Sequence, residues 1–273
     1  MVKCIIHCAD LHIRNFQRLD EYTEQLNKFV EKCREIASNY KKNEVRILIC
    51  GDIAHAKLSV SNELFVVMSF LIRQLEEIAT VIVVAGNHDL IVTNQSRTDT
   101  ITALFDTANF KNAKFLDAIL DYSSGIVKDE NVVWALYSIY DNFNKPNLDM
   151  IKKTKNTRVI GLYHGMIVGA SLQNGMVSNE GINCDAFKGC DCVMAGHIHL
   201  RQELRHGNVD VVYSGSLIQQ TFGETVSQHG FVVWNLEDMT HEYVDIDTDY
   251  GLYDFEISSI EEIDENKERL VNE

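Results

Sequence analysis

The sequence predicts an α/β domain whose second half forms a mixed sheet or a two-sheet sandwich. Three observations carry this. Over residues 1–108, short β-branched runs alternate with amphipathic stretches, the signature of strands joined by helices. After about residue 130, helical periodicity fades and strand-like runs follow one another closely, as in hairpin-rich sheets. Five of the apolar runs also stop abruptly at Gly, His or Asp, as strands do where a sheet opens onto a site.

Met1–Ala9 reads as a short strand. Leu19, Tyr22, Leu26, Phe29, Val30, Cys33, Ile36, Ala37 and Tyr40 recur at helical spacing, predicting an amphipathic helix over Gln17–Tyr40. Val45–Cys50 is a strand, and Asn62–Ala79 is a helix whose apolar residues, among them Leu64, Val66, Met68, Phe70 and Ile72, occupy more than one face. Thr80–Ala85 is a buried strand and Thr98–Ala108 a further helix. Later strands are expected at Asn131–Ser138, Arg158–Tyr163, Cys192–Ala195, Val209–Tyr213 and Gly230–Asn235. Beyond Asp245 the chain turns acidic, with a strand expected over 250–258 and a helix over 260–271. The expected division is therefore a main domain over 1–245 and, over 246–273, the start of an incomplete cap domain or a C-terminal tail.

The 273 residues are 45% hydrophobic with one proline, Pro146, which describes a well-packed chain. The formal net charge of −15 argues against binding nucleic acid through charge alone, although bound divalent cations would reverse the sign locally. Seven cysteines form no disulfide framework. Cys4, Cys8 and Cys50 sit in apolar runs, and Cys190-Asp191-Cys192 is spaced too tightly for a zinc knuckle. No signal peptide or membrane-length apolar run appears, so no membrane partner is expected and an intracellular location is.

The polar strand ends are IIHCADLH (5–12), ILICGDIAH (47–55), VVAGNHD (83–89), VIGLYHG (159–165) and VMAGHIH (193–199). Gathered on one rim they would bring together Asp10, His12, Asp52, His55, Asn87, His88, His164, His197 and His199. Six of the chain's ten histidines fall in this set, too many for independent structural roles. Asp10 and His12, at i and i+2 on an extended chain, point the same way, and His197 and His199 repeat the arrangement. His7 lies inside its strand and reads as structural. Carboxylate, imidazole and amide oxygen without thiolate suit manganese, iron or zinc in a catalytic site. The ligands outnumber what one four-coordinate ion takes; two ions roughly 3.5–4 Å apart, sharing a carboxylate, would use them all. A single ion beside spare structural histidines is the competing reading.

Asp10-x-His12, Gly51-Asp52, Gly86-Asn87-His88-Asp89, His164 and Gly196-His197-x-His199 resemble, in order, the five motif blocks of the calcineurin-like metallophosphoesterases. The resemblance implies two mixed β-sheets in a sandwich flanked by helices. It implies that Asp10, His12, Asp52 and His199 hold one metal and that Asp52, Asn87, His164 and His197 hold the other, with Asp52 bridging. His88 is then left to face substrate, and Asp89 to orient that imidazole or its turn.

Within the superfamily the chain is most similar to the SbcD-type nucleases, relatives of the MRE-type repair nuclease. GDIAH places His55 three residues after the bridging Asp, where protein phosphatases carry Asp-Arg-Gly, and VVYSGSLIQQTFGE resembles the Tyr-Pro-Gly-Ser turn, with Ser214 in place of proline. This subtype implies a manganese-dependent DNA exonuclease, 3′-5′ in polarity, with single-strand endonuclease activity; iron, zinc or magnesium are the other metals it admits. It also implies His88 and His55 as catalytic residues, a homodimer, an SbcC-type SMC-like ATPase partner and a role in end processing, recombination and repair. A nucleoid or cytoplasmic setting follows, or a host-cell interior for a viral chain. Arg14, Asn15 and Ser216, then Arg97 and Arg201, are the substrate-contact candidates, and Lys152–Arg158 is the densest basic stretch. A phosphodiesterase or phosphatase acting on other substrates, and a non-catalytic end-binding scaffold, are the alternatives.

Overall fold

In the computed structural model, described residues are 1–254 except Leu58, Gln95, Asn142, Phe143 and Asn208, together with Ser259 and Glu262. The chain runs β1 (Cys4–Cys8), α1 (Leu19–Ala37), β2 (Val45–Cys50), α2 (Asn62–Ile78), β3 (Thr80–Val84), α3 (Thr100–Ala108), β4 (Ala113–Phe115) and α4 (Leu116–Ile119). It continues through β5 (Gly125–Asp129), β6 (Val132–Tyr137), β7 (Arg158–His164), β8 (Cys192–Gly196), β9 (Gln202–His206), β10 (Val209–Tyr213), β11 (Gly230–Asn235) and β12 (Thr240–Asp245). Two six-stranded mixed sheets result, ordered β12-β11-β1-β2-β3-β4 and β5-β6-β7-β8-β10-β9. The α/β sandwich expected from the sequence is therefore present. Of the strand expected over 250–258, residues 250–254 are described and irregular; the rest of it, and the helix expected over 260–271 apart from Glu262, lie outside the described residues.

Strand periodicity decides which core each side chain joins. In β2, Val45, Ile47 and Ile49 face the helices, while Leu48 and Cys50 face the second sheet. In β3, Val81 and Val83 divide from Ile82 and Val84 in the same way. Ile160, Leu162, Cys192 and Met194 answer from the second sheet, with Trp134 and Trp234 filling the space between the layers. Val159, Val193 and Ala195 face a third core, closed by the loops around Ile167 and Phe187. His7 shares the parity of Ile5 and is fully buried; burial, only partly offset by the Ala195 carbonyl, pushes its imidazole down to about 3, so it is neutral.

Helix boundaries follow local chemistry. α1 begins two residues later than its periodicity predicts, because Phe16 and Arg18 take left-handed φ of 54° and 55°. It buries Tyr22, Leu26, Phe29, Val30 and Cys33. Ser61 caps α2 by accepting from the Leu64 amide at 3.1 Å, and Asp99 caps α3 by accepting from Thr102 at 2.8 Å. On α2, Leu64, Met68, Leu71, Ile72 and Leu75 are buried, but Val66 and Phe70 stay more than half exposed, so the surplus apolar face is real.

Candidate metal centre

The carboxyl ends of β1, β2, β3, β7 and β8 meet on one rim, where open α/β sheets place their sites. Beyond the strands, the loops after β1 and β2 stay paired. The Asp10 amide donates to the Gly51 carbonyl at 3.0 Å, the His12 amide to Asp52 at 2.9 Å, and the His55 amide to Ile13 at 3.0 Å. From α1, the Tyr22 hydroxyl donates to the His12 carbonyl at 2.6 Å. The second sheet is tied in by Asp10, whose carboxylate accepts from the His197 amide at 2.8 and 3.0 Å.

Two donor groups result. Asp10, His12 and His199 form one, and Asp52, His164 and His197 the other, the donor atoms of each lying within 4.8 Å of one another. Asp52 stands between them: its Oδ2 is 3.4 Å from His12 Nε2 and 3.2 Å from His164 Nε2. Asn87 Oδ1 is 2.9 Å from His197 Nδ1, which places the amide oxygen at the second group. A third cluster, His12, His55 and His88, continues outward from the first.

The backbone is strained where these side chains leave it. Asp10, His12, Asp52 and His197 have φ of 54°, 45°, 55° and 99°, a region that costs a non-glycine residue about 1–3 kcal/mol. The glycines preceding three ligands cannot be exchanged. A Cβ on Gly51 would lie 2.1 Å from His164 Nδ1, one on Gly86 2.1 Å from Asp52 Oδ1, and one on Gly196 2.2 Å from the Cys50 carbonyl.

The residues fit a pair of divalent cations. His164 Nδ1 donates to the Cys50 carbonyl at 2.8 Å, which aims Nε2 inward; there it makes no well-aligned hydrogen bond, although it is buried beside Asp52. His12 Nε2 and His199 Nε2 face each other at 3.0 Å. Lone pairs this crowded call for a shared cation, and protons stand in when none is bound. Burial works to lower the His164 pKa, but the Asp52 carboxylate outweighs it and lifts the imidazole to about 10. Asp52 is held well below the usual carboxylate range by His164 and His12 against the pull of burial. Burial raises Asp10 to about 6 and pushes His12 down to about 2.

Residues around the ligands fall into two kinds. His88 Nδ1 donates to the His55 carbonyl at 2.7 Å, and the His88 amide donates to Asp52 Oδ1 at 2.7 Å. Arg14 Nη1 lies 3.1 Å from His55 Nε2, and all three line a crevice of about 220 Å³ over the ligands. Asp89 accepts from the amides of Gly86, Ala54 and Ile53 at 3.0, 3.0 and 3.3 Å, so it holds the turn rather than the His88 ring. Asn15 braces the loop through the Ser61 amide and the Ser59 carbonyl. Ser216 is buried against His229 and Glu224, and Arg201 pairs with Asp245, so neither reaches the crevice. Cys190 and Cys192 are buried free thiols, Cys190 lying beside the Tyr137 hydroxyl.

Two positioning carboxylates have no signature in the sequence. Glu224 Oε1 accepts from His199 Nδ1 at 2.9 Å, fixing the tautomer that presents Nε2. Asp117 accepts from the Ala85 amide at 2.8 Å, just before Gly86-Asn87. Both act across folds of the chain, so no local spacing announces them. Losing such a carboxylate typically costs a metal site about 10–100-fold in affinity, and Glu224→Ala is expected to weaken manganese binding by that amount in calorimetric titration. An unchanged titration would remove Glu224 from the site.

Several known proteins are similar to this chain. An uncharacterised protein of Acanthamoeba polyphaga mimivirus is 33% identical over 258 residues; the match takes in 92% of this chain but only 18% of that relative, so the chain spans less than a fifth of its length. Among solved structures, an archaeal phosphodiesterase overlaps 89% of this chain and 99% of its own at 14% identity, with a TM-score of 0.44. A Streptococcus pneumoniae protein described as a predicted phosphoesterase overlaps 85% and 81% at 10% identity, with a TM-score of 0.31. Both overlaps are loose. The decisive match is to the model of the calcineurin-like phosphoesterase family, which takes in residues 5–201 and with them every strand end that converges on the rim. The chain belongs to the calcineurin-like phosphoesterases.

Proposed function

We propose that this phosphoesterase is a DNA nuclease of the SbcD/MRE type, manganese-dependent and acting on DNA ends and single strands. The observation that carries the reading is the outer cluster. His55, His88 and Arg14 extend the site beyond the metal ligands, into the crevice where a phosphodiester backbone would lie. Two bound divalent cations would polarise the phosphate and lower the pKa of water there. They would also supply the positive field that a chain of net charge −15 otherwise lacks.

The protein's own groups do the rest. His88, with Nδ1 committed to the His55 carbonyl, keeps Nε2 for the departing sugar oxygen, either protonating it or donating to its growing charge. Arg14, anchored by the Gln220 carbonyl at 3.3 Å and by His55, is placed to hold a non-bridging phosphate oxygen. His88→Ala is expected to lower turnover by about 10²–10⁴ while leaving metal content at wild type, read by mass spectrometry of the bound metal. A parallel loss of metal would make His88 a ligand instead.

Digestion of end-labelled linear and single-stranded DNA with manganese, with and without chelator, tests the reading. Cleavage of a chromogenic phosphodiester with no cleavage of either DNA would move the chain to a non-DNA phosphodiesterase. The same reading carries two assembly proposals. Val66 and Phe70 border an apolar groove with Leu26 and Val30 between α1 and α2, the surface for a homodimer. A monomeric mass at micromolar concentration would end that proposal. The SbcC-type ATPase partner is tested by co-elution of the two proteins.

A further inference from the structure

Beside the metal centre lies a second and larger crevice, of about 470 Å³. The loop after β7 supplies Met166, Leu172, Gln173 and Asn174 to its walls, and the loop after β10 supplies Thr221 and Gly223. His197 and His199 line it as well as the metal-centre crevice, so the two spaces share a wall. They differ in cationic side chains. Arg14 lines the inner crevice, whereas none of the residues described as lining the larger one is lysine or arginine. Its wall combines Met166, Leu172 and Ile198 with the neutral amides of Gln173 and Asn174, and its one carboxylate, Glu224, is engaged by His199.

A space of this kind suits an uncharged planar group that presents hydrogen-bonding edges and apolar faces, not a second phosphate. It has room for a nucleoside, its apolar side chains suit the faces of a base, and the amides of Gln173 and Asn174, each both donor and acceptor, suit its hydrogen-bonding edges. Gln173 also reaches Glu224, the carboxylate that orients His199, so whatever fills the crevice rests against the support of a metal ligand.

We infer that the larger crevice binds the nucleoside attached to the scissile phosphate, with its base drawn out of the stack into the space between the loops after β7 and β10. The inference rests on the nuclease reading and adds to it a subsite for an unstacked nucleotide. Burying one base beside the metal centre would make the reaction dependent on a nucleoside.

The test compares two esters with the same leaving group, thymidine 5′-(p-nitrophenyl) phosphate and methyl p-nitrophenyl phosphate, hydrolysed with manganese. The nucleoside ester is expected to have a kcat/KM higher by about tenfold or more. A Cβ on Gly223 meets only Thr221 Oγ1, at 3.9 Å, so Gly223→Leu can narrow the crevice without backbone clash. That variant should bring the two values together, and Asn174→Ala should lower their ratio severalfold. Equal kcat/KM values for the two esters in the wild-type protein would overturn the subsite and leave the phosphodiesterase chemistry standing. Saturation-transfer NMR with thymidine, in chelator, reads the crevice without turnover. Signal transfer to the thymine protons in wild type and its loss in Gly223→Leu are expected, and no transfer in wild type overturns the subsite. If neither ester is hydrolysed, the nuclease reading fails and the thymidine signal alone decides the crevice.

Discussion

Asp52→Ala is expected to abolish measurable phosphodiester hydrolysis and to leave the protein with no more than one tightly held metal ion. The reason is the position of this carboxylate. Its Oδ2 lies within 3.4 Å of an imidazole from each donor group, and its Oδ1 accepts from the His88 amide. Removing it takes a ligand from both halves at once, and it leaves His12 and His164 facing each other across a gap. Metal-ion stabilisation of a phosphoryl transition state is worth several kcal/mol, and at about 1.4 kcal/mol per tenfold this amounts to a loss of roughly a thousandfold or more. Asp52→Asn keeps an oxygen but not the charge and should fall between the two. Metal stoichiometry by mass spectrometry, with circular dichroism to establish folding, checks the prediction. Two equivalents of manganese in a folded alanine variant would refute the bridging role.

The second large effect concerns stability and lies away from the site. Arg46 on β2 points into the layer between the sheets and holds Asp129, at the end of β5, through two hydrogen bonds of 2.7 and 2.8 Å. Both residues are more than nine-tenths buried, and Trp134 Nε1 adds a bond to the same carboxylate at 3.3 Å. Arg46→Ala would strand that carboxylate in the interior, which typically costs about 3–5 kcal/mol. Urea denaturation should show the midpoint fall accordingly, and the Arg46→Ala, Asp129→Ala double variant should be less damaged than the sum of the singles.

The pH dependence has a definite sign. Burial works to raise the Asp129 pKa, but Arg46 outweighs it and holds the group below its ordinary value. The contribution of the pair is therefore complete above about pH 4 and lost as pH falls through the lower folded value. Arg46→Ala should flatten that acid limb. A loss under about 1 kcal/mol, the range of exposed pairs, would show that the pair does not tie the sheets together.

Much of this architecture was legible in the sequence because most elements carry their own periodicity. β1, β2, β3, β6, β7, β8, β10 and β11 are apolar runs buried on both faces or nearly so, and α1 to α3 repeat at helical spacing. The four strands that escaped, β4, β5, β9 and β12, are the outermost strands of the two sheets. An edge strand meets solvent along one side, so segments such as Thr240–Asp245 need no continuous apolar run. The same logic applies to the site. Strand-end motifs announced themselves because Gly, Asp and His stand directly after buried strands. Glu224 and Asp117 did not, since each finds its partner only when distant segments fold together, His199 with Glu224 and Ala85 with Asp117. The substrate-contact candidates divide for a similar reason. Arg14 faces the crevice, while Ser216 sits under a turn whose shape no motif specifies.

The contact between the Asp10 carboxylate and the His197 amide has a further meaning for how this protein comes into being. A growing chain that has completed only its first four strands owns Asp10, His12, Asp52 and Asn87, but none of the imidazoles that arrive with β7 and β8. Half-made molecules therefore hold neither donor group in full. The donor set is completed only once the segment that follows β8 is made, and a break between the two halves that lets them drift apart would take both donor groups apart.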